Sequence, residues 1–224
     1  MVRPIPPRDD LLALFQATKA NAGDLISDAE LLADVGRFPR AHALATLAHE
    51  EIGKAQLCLL AVMLTEITPE EFWDAFKSHT GKLIRVTGFG RMTSAEPIGP
   101  VAEYAKIVKG HSSSAHTRKL RGLYVDYKSR RVLLPSQVKE KEAKNQIRSA
   151  REALALTEWA FPLDHLDWAI GQMSGLIGAL KEAAKDQDAL AGALQMALNG
   201  SHERRQELLS KPPDLLPPLS SSEP

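Results

Sequence analysis

The sequence predicts an all-α protein, a helical bundle interrupted by one small β-hairpin near residues 123–134. Three observations carry that expectation. Apolar residues recur at spacings of three and four along most of the 224 residues, the period of one helix face. Helix-starting residues (Asp, Ser, Thr, Pro) precede these stretches and glycines follow several of them. Only at Leu123-Tyr124-Val125-Asp126-Tyr127 does the pattern switch to alternation, and Arg131-Val132-Leu133-Leu134 can pair with it across Lys128-Ser129-Arg130.

The elements follow in order. Asp9 or Asp10 caps a first helix to about Ala20, where Asn21-Ala22-Gly23 interrupts it, and a second runs from Asp24 to Val35. Gly36 stops that helix, and Pro39 opens a long third one to about Glu66. Thr68-Pro69-Glu70-Glu71 starts the next, with acids in its first turn. It carries Phe72, Trp73 and Phe76. Between Gly81 and Gly99 the pattern weakens to a loop or short helices, and a helix from Pro100 to Lys119 leads into the hairpin. Pro135 ends the hairpin, and Ser136 caps a helix to Trp159 with the stripe Ala143, Ile147, Ala150, Leu154 and Phe161.

After Pro162 a heptad-like seam follows: Leu163, Leu166, Ile170, Met173, Ile177 and Leu180. Gly171, Gly175 and Gly178 leave a second, smooth surface for close approach of another helix. Shorter helices are expected over 187–198 and on to Ser210. Residues 1–211 read as one helical domain, and 212–224 as a disordered tail rich in Pro and Ser.

Composition narrows the function classes. Lys plus Arg and Asp plus Glu both total 28, so no global charge advertises a polyanion. The single Cys58, in an apolar run, permits no internal disulfide and no thiolate metal cluster. The N-terminus has no signal-peptide core, and the longest strongly apolar run, Leu57 to Leu64, is far short of a membrane span. A soluble, cytoplasmic protein without membrane contact is the expectation. No metal and no cofactor are expected either: His49-Glu50-Glu51-Ile52-Gly53 begins like a zincin motif but lacks its second histidine. Glu-x-x-His, the P-loop and the Gly-rich dinucleotide fingerprint are missing.

The third helix holds the most chemistry. At 100° per residue Leu44, Ala48, Ala55, Leu59 and Val62 form one stripe, and Glu51 falls within it. A carboxylate there needs a partner. Glu51 therefore reads either as a structural ion pair or as a buried group serving a site. Glu50 and Lys54 fall on the flank as an i, i+4 pair. His42, His49 and Gly53 share the opposite side, where a second close contact is expected.

The run from Ala41 to Ala55, ending in Glu50-Glu51-Ile52-Gly53-Lys54-Ala55, resembles the AbiV family pattern of an alanine-rich helix closing in EE-(I/L)-GKA. Phe72-Trp73, followed by Ser78-His79-Thr80-Gly81-Lys82, resembles the family's next segment, and Arg121-Gly122-Leu123-Tyr124-Val125-Asp126-Tyr127 resembles a third, including Tyr124 and Asp126. The resemblance implies an HEPN-like helical bundle and a role in abortive infection, a defence against phage. It further implies a homodimer, action on translation or RNA, and engagement of a phage-encoded protein. Many HEPN domains are metal-independent ribonucleases with an Arg and a His four to six positions on, and Arg37-Phe38-Pro39-Arg40-Ala41-His42 is the one fit here.

In that arrangement His42 would move a proton and Arg37 would stabilise charge on phosphorus. His79, near Lys82 and Arg85, is a second candidate. From Lys106 to Arg131 there are eight basic residues and one acid, Asp126. Lys82, Arg118 and Arg121 are thus candidates for RNA phosphate, with a solvated basic face the competing reading. Arg118 or Arg121 could instead neutralise Glu51 or Asp126. Three functions follow: a translation-arresting effector, a metal-independent endoribonuclease, and a non-catalytic adaptor or antitoxin.

Overall fold

The computed structural model describes residues 3–64, 67–92, 101–128, 131–135 and 138–183. Among them the chain is helical apart from one hairpin: α1 (Arg8–Asp34), α2 (Phe38–Met63), α3 (Pro69–Lys77), α4 (His79–Met92), α5 (Val101–Leu123), β1 (Asp126–Lys128), β2 (Arg131–Leu133), α6 (Glu140–Ala160) and α7 (Leu166–Ala183). The strands pair antiparallel with Tyr127 opposite Val132. Expected helices over 187–210 and the tail 212–224 lie outside the described residues.

Helix α2 is the axis of the bundle. It packs against α1, α6, α4 and α5, and less extensively against α7 and α3. Its sequence explains this: Ala41, Ala43, Ala45, Ala48 and Ala55 are all fully buried, and small side chains let neighbouring helices approach from several directions. One core gathers Ile26, Ala29, Ile52, Ile147 and Leu154 between α1, α2 and α6. The other gathers Phe15, Leu57, Cys58, Leu59, Phe72, Phe161 and Ile170 toward the far end of α2. Burial pushes the Cys58 thiol up to about 12, as expected of a small buried hydrophobe.

Two expectations about α1 are corrected. Asp9 and Asp10 do not cap it: the cap position is Pro7, without a side-chain hydrogen bond, and both acids lie inside the first turn. Asn21-Ala22-Gly23 does not interrupt it; one helix runs from Arg8 to Asp34. An interior glycine costs about 1 kcal/mol, but Gly23 and its neighbours Ala22 and Ile26 are buried against the bundle, and that packing wins. Gly36, with φ +73°, does end the unit.

Helix α3 starts on a capping box: Glu71 accepts the Thr68 N–H at 2.9 Å, and Thr68 Oγ1 accepts the Glu71 N–H. Its Phe72, Trp73 and Phe76 rings pack together at 5.0–5.8 Å, and Trp73 donates to Pro4 O at 3.1 Å. The stripe expected on α6 is buried throughout. The α7 seam is only partly so: Leu166 and Ile170 are buried, whereas Leu163 is half exposed. Gly171, Gly175 and Gly178 face open space, with no described helix against them. No helix among the described residues is long and apolar enough to cross a membrane.

Candidate functional site

The site forms where α4 and α5 meet α2, and two glycines set how close they come. A Cβ on Gly53 would sit 2.4 Å from the Lys82 carbonyl oxygen, so α4 lies directly on α2 there. A Cβ on Gly122 would sit 2.4 Å from the Pro39 carbonyl oxygen, which seats the end of α5 on the first turn of α2. The close contact expected at Gly53 is therefore with α4 of the same chain.

Between these contacts lies Glu50. It is 2% exposed, and its carboxylate is fully engaged. Oε2 accepts from His79 Nδ1 at 2.6 Å, and Oε1 accepts from Lys119 Nζ at 2.5 Å. Lys82 Nζ stands 3.9 Å from Oε2. A carboxylate accepts only, so Nδ1 of His79 carries the proton and Nε2 is the nitrogen left for other chemistry. The His79 side chain is 54% exposed. A buried anion thus orients an accessible imidazole.

Two buried lysines flank that one carboxylate, so the cluster carries net positive charge. Burial pulls the Lys82 ammonium below its usual value, and Glu50, the largest opposing influence, raises it. His116 completes the group: its ring stacks on His79 with centroids 5.4 Å apart. Its Nδ1 is buried with no hydrogen-bond partner among the described residues. Burial first, then Lys119 and His79, push the His116 imidazolium down, against the pull of Glu50.

The structure moves several expected site residues. Glu50, not Glu51, is the buried carboxylate; Glu51 is only partly buried and pairs with Lys54 one turn on. His79 is brought to the site, with Lys82 beside it, buried rather than displayed on the surface. Arg37 is the exposed residue before α2, while His42 is 2% exposed and its Nδ1 is buried with no hydrogen-bond partner among the described residues. Burial, then Arg118, hold His42 down to about 4.

Its neighbour His49 lies against Ala45 O (3.1 Å), Gln146 Nε2 (3.1 Å) and Ser149 Oγ (3.4 Å), and burial likewise lowers it. Both histidine side chains are buried. Arg118 and Arg121 are exposed on α5. The cation on Glu50 is Lys119, which lies between them and was not singled out from the sequence.

Among the described residues, no group of three or more His, Cys, Asp or Glu could hold a metal ion. What the cluster can do is move a proton at His79 Nε2 in an electropositive setting, the requirement for attack or departure of an oxygen at a phosphate. A family model described as AbiV, of the HEPN group, matches residues 10–155, well over half of the chain. No curated protein matches the chain, and no solved structure does.

Proposed function

The chain belongs to the AbiV family of HEPN domains, and on that premise we propose that it is an abortive-infection effector that arrests translation by acting on RNA, with His79 as its proton-transfer group. The observation that carries the reading is the Glu50–His79 pair: a buried carboxylate fixes Nδ1, and the ring is half exposed. Nε2 of His79 would take the proton from a ribose 2′-hydroxyl or return it to the leaving oxygen. Lys119 and Lys82 set the positive field and allow Glu50 to be buried as an anion.

The test is incubation of the purified chain with labelled total RNA and tRNA in EDTA, beside His79→Ala, Glu50→Gln, Arg37→Ala and His42→Ala. Cleavage by the wild type that vanishes with His79→Ala and persists with Arg37→Ala is the expected result. No cleavage by the folded wild type would sink the catalytic part of the reading. A second reading, a binding effector that engages a phage-encoded protein, is favoured by the exposed apolar face of the hairpin. The expected homodimer is carried forward on the open Gly171–Gly178 face; sedimentation as a monomer at high concentration would remove it.

A further inference from the structure

We propose that the outward side of the end of α5, together with the β1–β2 hairpin, is a landing surface for single-stranded RNA, in which Tyr124 and Tyr127 stack on bases and Arg118 and Arg121 hold phosphates. The choice of polyanion rests on the RNA reading above; the surface itself rests on separate observations. Tyr124 is 62% exposed and Tyr127 69%. The register places Tyr127 opposite Val132 on one face of the hairpin. Val125 and Leu134, which flank the strands, and Val132 are also at least half exposed. Among the described residues no helix packs extensively on either strand. Exposed aromatic and apolar side chains are thus gathered at the end of α5 and on the hairpin.

Charge decides what covers it. Arg118 and Arg121, one turn apart, are exposed at the root of the hairpin. Across residues 106–131 the sequence has eight basic residues against Asp126 alone; Lys119 is engaged inward by Glu50, whereas Lys106, Lys109, Arg118 and Arg121 are exposed. A second copy of the same surface would meet like charge. A single-stranded nucleic acid offers phosphates to the arginines and base faces to the tyrosines, the pairing that such surfaces use.

The hairpin is also anchored: the close seat of Gly122 on Pro39 fixes its root. Lys119 reaches Glu50 from the inward side of the same stretch of α5. One short segment therefore carries the proposed platform outward and the site's cation inward.

The experiment is fluorescence anisotropy on the full chain with a labelled 2′-O-methyl oligouridylate, which cannot be cut through its 2′-oxygen, and a duplex of the same length. The wild type should bind the single strand more tightly. Tyr124→Ala with Tyr127→Ala should weaken binding roughly ten- to a hundredfold, whereas Tyr→Phe at both positions should keep it. Arg118→Gln with Arg121→Gln should flatten the salt dependence. Wild-type affinity in the double alanine variant, or no binding of the single strand at all, overturns the proposal; the latter leaves the hairpin to a protein partner. RNA cleavage that survives loss of the tyrosines would overturn the surface and leave the His79 reading standing. Tyrosine-dependent binding without cleavage would do the reverse.

Discussion

The two flanks of α2 bury polar groups by opposite means. Toward α4 and α5 it buries a charge, Glu50, with Lys119 bonded to one oxygen and His79 to the other. Elsewhere it buries His49, against Gln146 and Ser149 of α6, and His42; burial lowers both, His42 to about 4. An ion can leave water only with its counter-ions, whereas an imidazole can leave water by giving up its proton. The charged flank also reaches solvent at His79 and is suited to chemistry. The neutral flank is closed and is suited to holding α6 in place.

The sharpest way to break the contrast is to strip the charged flank of its anion. Glu50→Ala leaves Lys119 and Lys82 buried without a counter-ion and should cost about 3–5 kcal/mol in urea unfolding. Adding Lys119→Met should recover part of that loss; strictly additive losses would mean that the two residues are not coupled.

The neutral flank should instead fail in acid. His42 has a native value of about 4 against 6.5 unfolded, so the unfolded chain binds the extra proton. Stability is fully present above pH 6.5 and is lost as pH falls toward 4, by about 3 kcal/mol. His42→Leu should show a correspondingly shallower decline over that window, and equal slopes would place the proton uptake elsewhere.

Smaller effects sharpen the picture. Gly53→Ala drives a methyl into the Lys82 backbone and should cost about 1–3 kcal/mol. It should also reduce any activity that depends on His79 by more than the stability loss explains, since α4 carries that ring. Gln146→Ala removes one contact of His49 and should cost about 1 kcal/mol, with activity unchanged. An activity loss there would erase the division between the flanks.

The sequence makes α6 legible because that helix buries a single stripe, which a period of 3.6 picks out. It misleads on α2 because that helix is buried nearly all round. Alanines at 41, 43, 45, 48 and 55 leave no polar side to orient the wheel, so the stripe drawn through Leu44 and Ala48 selects Glu51 over Glu50. His79 and Lys82 are legible through their motif.

His116 and Lys119 lack one, although the spacing of Ser112, His116, Lys119 and Gly122 is that of a helix face. That polar stripe was the available signal. It goes unread because what compensates a buried lysine is set by a residue 69 positions away. Arg37 and His42 show the converse: a spacing that fits a motif, divided by burial into one exposed residue and one interior one.

The lone thiol at the apolar end of α2 turns the molecule into its own reporter. Cys58 is buried in the core, and its proton is held up to about 12, so a disulfide reagent finds no thiolate to attack while the bundle is closed. Each labelling event then counts one opening of the Phe72–Phe161 region, at a stoichiometry fixed at one by the single cysteine. The clock is local to that end. Comparing its rate with the global unfolding rate would reveal whether α2 comes apart as one unit or from one end first.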